Sequence, residues 1–254
     1  MAEVKAVLLD LDGVIYVGGT PLPGAIEAVA RLREAGLALR FLTNTTRTPY
    51  RALYAKLLGM GLEVAPEELV TPAVAARRMI EAEGLTPHLL VHPALEEDFA
   101  DLPPGGREAV VVGDAGDTFT YAALNRAFRA LDAGAALLAL ANNRMFRDAD
   151  GGLSLDAGPF VQALAFASGV EPVILGKPAA EFFHAALASI DCPADEAMMI
   201  GDDVESDVGG AMAAGMRGVL VRTGKYQPGA EKLIDPPPTA VCDDLAAIVE
   251  EMLA

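Results

Sequence analysis

Residues 4–14 read VKAVLLDLDGV, an apolar run that ends at two acids and a glycine. Such a run is typical of a strand that is buried on both faces of a parallel sheet. Further strand-like runs alternate with helical patterns along most of the chain, which predicts right-handed crossover units between parallel strands. We therefore predict an α/β fold with a mostly parallel sheet, whose ligand lies at the carboxyl ends of its strands.

The composition allows one large domain or two lobes, because the chain has 254 residues of which 52% are hydrophobic. Its formal net charge of −17 would repel the phosphate backbone of a nucleic acid. No run approaches the roughly 20 apolar residues of a membrane span, and the start lacks a signal-peptide pattern. Cys192 and Cys242 give no disulfide framework and fit a reducing compartment. We expect a cytoplasmic protein without a nucleic acid or membrane partner.

Four polar segments follow predicted strands. They are DLDGV at residues 10–14, LTNT at residues 42–45, GKP at residues 176–178 and GDDVESD at residues 201–207. The strand period of two turns Asp10 and Asp12 toward one side, while Leu11 faces the other. Because the carboxyl ends of parallel strands meet at one edge of the sheet, we expect these segments to lie close together.

The four carboxylates expected at this edge are those of Asp10, Asp12, Asp202 and Asp207. Two like charges about 4 Å apart repel by roughly 4 kcal/mol at an effective dielectric constant of about 20. Leaving all four charged and unpaired would therefore be prohibitive, and a cation is expected among them. An all-oxygen site with one or two carboxylates and water suits Mg²⁺. Lys177 can neutralise a further charge or hold a phosphate group.

This set of side chains suits phosphoryl transfer. A carboxylate that attacks a phosphate dianion is repelled by it, and a metal ion and a lysine relieve that repulsion. The attack gives an acyl phosphate that water can hydrolyse. A second acid two residues away can protonate the leaving oxygen and later deprotonate that water. The residues thus favour a Mg²⁺-dependent phosphatase.

The four segments, in this order, resemble the four motifs of the haloacid dehalogenase (HAD) superfamily. The resemblance implies that Asp10 is the nucleophile and a metal ligand. It implies that Asp12 is the general acid and base and coordinates Mg²⁺ through its backbone carbonyl. The other implied roles are phosphate contacts from Thr43, Asn44 and Lys177, a metal contact from Asp202, and support for these ligands from Asp203 or Asp207.

The interval between the second and third motifs, roughly residues 72–172, is too long for a loop and carries strands and helices of its own. In this superfamily such an insertion resembles a C2-type cap, the mark of class IIA. The resemblance therefore implies a Rossmann-like core from residues 1–71 and 173–254, with an inserted α/β cap domain from residues 72–172. Such a cap excludes water and selects the leaving group.

Within this class, the segments at residues 41–46, 158–161 and 223–226 most resemble the branch of phospholysine phosphohistidine inorganic pyrophosphate phosphatases and their HAD-like hydrolase domain-containing relatives. A small phosphorylated substrate or pyrophosphate is implied, and the family also suggests a homodimer. Some relatives in this branch lack the second acid of the first motif. The present chain retains Asp12, which favours full turnover over a binding role.

Three alternatives stay open at this point. The first is a phosphatase of another C2-capped branch, which acts on a nucleotide, a sugar phosphate or phosphoglycolate. The second is a phosphate-sensing module that resembles a receiver domain, although such a domain has about half this length and no use for Asp12. The third is a phosphate-binding or interaction protein on a HAD scaffold with little turnover, against which the intact acids and Lys177 argue.

Overall fold

The structure of the chain is a computed structural model that describes residues 3–147 and 152–254. The chain divides into two compact units. The first comprises the chain through Thr43, Tyr54–Val70 and Lys177–Ala254, and the second comprises Asn44–Leu53 and Thr71–Gly176. The domain limits expected from the sequence, 1–71, 72–172 and 173–254, stay a proposal.

The strands and α-helices of the described residues are numbered along the chain. The strands are β1 (Ala6–Asp10), β2 (Tyr16–Val17), β3 (Thr20–Pro21), β4 (Ala38–Leu42), β5 (Leu69–Val70), β6 (Thr86–Leu90), β7 (Glu108–Val112), β8 (Ala136–Ala139), β9 (Met145–Arg147), β10 (Leu153–Leu155), β11 (Val173–Ile174), β12 (Ala197–Gly201), β13 (Arg217–Val221) and β14 (Ala240–Cys242). The helices are α1 (Ala25–Glu34), α2 (Tyr50–Gly59), α3 (Pro72–Glu83), α4 (Tyr121–Asp132), α5 (Ala157–Ser168), α6 (Ala180–Ala188), α7 (Gly210–Ala213) and α8 (Leu245–Met252). Within residues 3–147 and 152–254, every helix is too short or too polar to span a lipid bilayer.

The first unit is built on a six-stranded parallel sheet with the strand order β14-β13-β12-β1-β4-β5. All five residues of β1 are buried, which explains why that strand is a continuous apolar run up to Asp10. Because neighbouring parallel strands end at the same edge, Asp202, Asp10 and Thr43 follow one another in that order along the carboxyl edge of this sheet.

A small hairpin follows β1 directly. Its strands β2 and β3 are antiparallel and joined at Gly18, whose φ of 63° is accessible to glycine at little cost. The carbonyl of Leu11 accepts hydrogen bonds from the N–H groups of Ile15, at 2.9 Å, and Tyr16, at 3.2 Å. These two bonds start the hairpin immediately beyond Asp12. We call residues 13–24 the flap hairpin.

The second unit has its own parallel sheet, with the strand order β11-β8-β7-β6. Alternate residues of β7 face opposite sides, as the strand period of two requires. Ala109 and Val111 pack in the cluster that contains α3, whereas Val110 and Val112 pack in the cluster that contains α4 and α5. The unit is therefore a three-layer α/β domain with a complete core of its own.

Three details differ from the sequence-based expectations. Val173–Ile174 pairs with β8 in the sheet of the second unit, although the alternation of the last third suggests a strand of the other sheet. The proline after Lys177 predicts a helix that starts at Pro178. Helix α6 begins instead at Ala180, because Ala179 has an extended backbone with ψ of 128°. The residues after the fourth motif predict a helix over residues 204–214. It opens with a π-helical turn, Val204–Gly209, in which the N–H of Val208 bonds to the carbonyl of Asp203 at 3.3 Å; we call it the wide turn.

Candidate active site

Three acids meet at the carboxyl edge of the first unit's sheet. Asp10 is the last residue of β1, and Asp202 follows the last residue of β12. Asp207 lies in the wide turn that comes next. One carboxylate oxygen from each lies within 4.8 Å of the other two, and all three residues are buried. Asp207 reaches this position because it packs against Gly201, which has no side chain to occupy the space. The strand-end argument predicts this convergence.

Lys177 places one positive charge among these acids. Its Nζ forms an ion pair with Asp10 and a second one with Asp207, at 2.6 Å from Oδ1. Burial of the lysine, which is 4% exposed, lowers its pKa, but the charges of Asp10 and Asp207 outweigh that effect and hold the pKa above its usual value. Lys177 therefore stays protonated and neutralises one of the three carboxylates.

One carboxylate oxygen of Asp202 is an unsatisfied hydrogen-bond acceptor among the described residues. Its Oδ2 accepts a hydrogen bond from the N–H of Lys225 at 2.6 Å, whereas its Oδ1 is buried and has no hydrogen-bond partner among the described residues. An unsatisfied buried acceptor costs about 1–3 kcal/mol, and more when it is charged. A divalent cation bound by carboxylate oxygens would remove this penalty, and Mg²⁺ prefers such ligands. The residues present therefore fit a Mg²⁺ ion.

The loop that follows β13 fixes the orientation of Asp202, and sequence reasoning missed its part in the site. Thr223 Oγ1 donates a hydrogen bond to the carbonyl of Gly13, and Lys225 holds Asp202 Oδ2 through its main chain. A Cβ atom on Gly13 or Gly224 would collide with Asp202 Oδ2, and both glycines have positive φ, 100° and 55°. Two signals were available: residues 223–226 carry part of the family resemblance, and they closely follow the strand-like run GVLV at residues 218–221.

Asp12 differs from the buried acids because its side chain is exposed. Its backbone forms an isolated bridge with Tyr16, whose carbonyl accepts a hydrogen bond from the N–H of Gly13 at 2.7 Å. Burial, and then the charges of Asp12 and Asp10, raise the pKa of Tyr16 to about 12, so that its hydroxyl stays neutral. An exposed carboxylate next to a buried cluster can exchange protons with solvent, as an acid and base must.

The remaining predicted residues have separate positions. Asp203 accepts hydrogen bonds from the N–H groups of Glu205, at 3.1 Å, and Ser206, at 3.0 Å, and so caps the wide turn. Thr43 is buried at the end of β4 in the first unit. Asn44 belongs to the second unit, where its Oδ1 lies beside Gly176. The phosphate contacts of Thr43 and Asn44 stay predictions.

Comparisons with known proteins identify the family. The haloacid dehalogenase-like hydrolase family model matches residues 7–117, and the HAD-hydrolase-like model matches residues 174–248. The phospholysine phosphohistidine inorganic pyrophosphate phosphatase of Homo sapiens is 38% identical over 258 residues, covering 100% of this chain and 96% of the human protein. The chain belongs to the haloacid dehalogenase-like hydrolases. It is an enzyme of the phosphatase type within that family.

Solved HAD structures agree with this assignment. The p-nitrophenyl phosphatase from Archaeoglobus fulgidus matches with a TM-score of 0.89 and 28% identity, covering 98% of this chain and 99% of the other. The glycerol phosphate phosphatase from Mycobacterium tuberculosis in complex with magnesium matches with a TM-score of 0.80 and 29% identity, covering 96% of this chain and 78% of the other. The predicted Rossmann-like HAD core with an inserted C2-type cap is confirmed, and a single receiver-like domain is excluded.

Proposed function

We propose that this HAD enzyme is a Mg²⁺-dependent phosphatase that hydrolyses a small phosphorylated substrate through an aspartyl phosphate on Asp10. The substrate class is a phosphomonoester, a phosphoamino acid or pyrophosphate. The observation that carries the proposal is the buried cluster of Asp10, Asp202, Asp207 and Lys177, in which Asp202 Oδ1 lacks a partner among the described residues. The names of the human relative and of the magnesium-bound mycobacterial structure support it.

The metal ligands are proposed to be the carboxylates of Asp10 and Asp202 and the main-chain carbonyl of Asp12. When bound there, Mg²⁺ supplies positive charge that reduces the repulsion between the phosphate dianion and the nucleophile. Asp207 keeps its ion pair with Lys177 and so holds the lysine beside Asp10. This assigns Asp207 the supporting role that the sequence left open between it and Asp203.

In the first step, the carboxylate of Asp10 attacks the phosphorus, and the bond from phosphorus to the leaving oxygen or nitrogen breaks. Asp12 gives its proton to the leaving atom, so the leaving group departs as an alcohol, as phosphate or, from a phosphoamino acid with a P–N bond, as a neutral nitrogen base. In the second step, Asp12 takes a proton from a water molecule that attacks the same phosphorus. Inorganic phosphate is released, Asp10 is restored as a carboxylate, and Asp12 is again protonated.

The proposal predicts phosphate release from at least one compound of a panel of p-nitrophenyl phosphate, pyrophosphate, phosphohistidine, phospholysine, sugar phosphates and nucleotides. The release should require Mg²⁺, disappear with a chelator and return when Mg²⁺ is added in excess, because the buried carboxylates repel the substrate when no cation is bound. The preferred compound separates this branch from other C2-capped phosphatases. A folded protein that leaves every compound intact would instead favour the interaction protein with little turnover.

Mg²⁺ affinity is expected to rise as the pH passes through about 7. Burial raises the pKa of Asp202 to about 7, opposed by the hydrogen bond from Lys225 and aided by the charges of Asp10 and Asp207. Because a metal ligand must lose its proton, each pH unit below that pKa should weaken binding by up to about tenfold. Without Mg²⁺, the folded protein binds more protons than the unfolded chain between the ordinary value of 3.8 and about 7, so its stability falls as pH rises through that window.

Calorimetric titration of the protein with Mg²⁺ at about pH 6 and about pH 8 measures this effect. The variant Asp202→Asn serves as the control, since it should bind Mg²⁺ weakly at both values and lose the pH dependence. Equal affinity of the unaltered protein at the two pH values would contradict the raised pKa of Asp202.

A further inference from the structure

One side chain of α2 contacts the flap hairpin at two points. The ammonium group of Lys56 donates a hydrogen bond to the carbonyl of Gly18 at 2.6 Å. The same Nζ lies 4.0 Å from the centroid of the Tyr16 ring, within the range of a cation–π interaction. Lys56, Tyr16 and Gly18 all belong to the first unit. Lys56 therefore touches both ends of β2, the ring at its start and the carbonyl just beyond it.

Tyr16 connects the contacts of Lys56 to Asp12. Tyr16 is buried, with 5% of the residue exposed, and its backbone bridges that of Asp12. Its carbonyl accepts the hydrogen bond from Gly13 at 2.7 Å, and its N–H bonds to the carbonyl of Leu11 at 3.2 Å. The backbone on either side of Asp12 is thus fixed by Tyr16, and a shift of that tyrosine moves the acid.

The flap hairpin has little means of holding its own position. Strands β2 and β3 have two residues each, and an isolated two-stranded hairpin is marginally stable in water. Its turn contains Gly18 and Gly19, whose backbones are the least restricted of all residues. Contacts from the rest of the first unit must therefore place it, and Lys56 provides a charged contact.

We propose that Lys56 is a positioning residue for proton transfer by Asp12, which it places through Tyr16 and the flap hairpin. The inference rests on the proposed function, because it concerns the acid that protonates the leaving oxygen. A misplaced acid matters most when the leaving group needs a proton. The expected defect is therefore selective for substrates with a basic leaving group, which a general loss of folding would not produce.

Phenyl phosphate and p-nitrophenyl phosphate test this selectivity, because their shapes are similar and nitrophenolate leaves more readily without a proton. In Lys56→Met, kcat/KM for phenyl phosphate is expected to fall about 10–100-fold, and that for p-nitrophenyl phosphate by less than about threefold. Lys56→Arg keeps the cation and its donors and should restore most of the lost rate. If Lys56→Met does not fold, Lys56→Gln, which keeps a donor without the charge, carries the same comparison.

The matched control is Lys5→Met. Lys5 precedes β1, at the opposite end of that strand from Asp10, and pairs with Glu196 at 2.8 Å on the surface. Its loss should leave both esters unaffected, since exposed ion pairs contribute little. Hydrogen exchange measured by mass spectrometry gives a readout that is independent of activity: peptides from residues 11–24 should exchange faster in Lys56→Met and normally in Lys56→Arg and Lys5→Met.

Two results would overturn the inference. One is an equal loss for both esters in Lys56→Met, and the other is no loss in either ester. If the unaltered enzyme turns over and Asp10→Asn does not, such a result refutes the role of Lys56 and leaves the proposed phosphatase standing. An unaltered protein without turnover refutes the phosphatase, and the role of Lys56 with it.

Discussion

Asp10→Asn is expected to lower kcat by about 10⁴–10⁶-fold, because an amide cannot form the acyl phosphate that divides the reaction into two steps. The substitution preserves shape and removes one of three crowded negative charges. Lys177 keeps Asp207 as a partner at 2.6 Å, so the fold should survive with little change in thermal stability. Steady-state release of phosphate from the best substrate, with Mg²⁺ present, measures the loss.

A second measurement identifies the covalent step directly. Turnover of a substrate with labelled phosphorus, stopped by acid, should leave label on the unaltered protein that hydroxylamine removes, and none on Asp10→Asn. Asp243→Asn is the matched control, because Asp243 is an exposed acid that pairs with Arg222 at 2.7 Å on the surface, and its activity should be normal. Activity of Asp10→Asn within tenfold of the unaltered enzyme would show that another group attacks the phosphorus.

The acids of the site could be predicted because they follow strands. Parallel strands share an edge, so residues after β1 and β12 must approach each other however far apart they stand in the chain. Asp10 and Asp202 therefore meet. The argument does not account for Lys177, which pairs with Asp10 although the strand before it, Val173–Ile174, belongs to the other sheet. What the sequence left open was the choice between Asp203 and Asp207. The proposal of Asp207 depends on the wide turn of Val204–Gly209, which has no sequence signature.

The contacts that orient Asp202 could not be predicted from side-chain chemistry. Lys225 holds it through a main-chain N–H, a group that every residue except proline offers. Gly13 and Gly224 contribute by having no side chain where Asp202 Oδ2 lies. Sequence patterns of acids, amides and cations do not reveal this site, because it is formed by a main-chain N–H group and by two glycines without side chains.

Periodicity also could not assign Val173–Ile174 to a sheet. A strand of two residues carries too little pattern to distinguish one apolar environment from another. Its partner β8 lies more than thirty residues earlier in the chain, with Val173 opposite Leu138 and Ile174 opposite Ala139. Tertiary pairing therefore decides which sheet takes the strand, as it does for the equally short Leu69–Val70 beside β4.

Lys177→Met is expected to destabilise the protein by about 3–5 kcal/mol, since removing one partner of a buried ion pair leaves uncompensated charge behind. Here two acids lose their partner at once, Asp10 and Asp207, and both are buried. Methionine fills a similar volume, so packing changes contribute little. Urea unfolding without Mg²⁺ measures the change in the free energy of unfolding, and turnover should fall because the substrate phosphate loses a cation.

The double variant Lys177→Met with Asp207→Asn separates stability from catalysis. It removes the stranded charge of Asp207, so part of the lost free energy should return, while turnover should stay low because the cation beside Asp10 is still missing. Lys177→Arg is not expected to rescue either property, because the buried site of a 4% exposed lysine leaves little room for a guanidinium group. Recovery of activity in the double variant would mean that Lys177 serves only to balance Asp207.

The pH dependence of the stability of Lys177→Met tests whether its loss of stability comes from uncompensated charge. Burial already raises the pKa of Asp207 to about 6, although the charge of Lys177 opposes the shift. Without the ammonium group that pKa should rise further, because burial and the repulsion by Asp10 are no longer opposed. A carboxyl whose folded pKa is raised costs stability above its unfolded pKa, and that cost vanishes as the pH falls toward about 4. The loss of stability relative to the unaltered protein should therefore shrink from about pH 8 to about pH 6, where Asp207 becomes protonated in the unaltered protein as well. If the loss of stability were constant across that range, it would come from changed packing. Lys177 would then not stabilise the site through its charge.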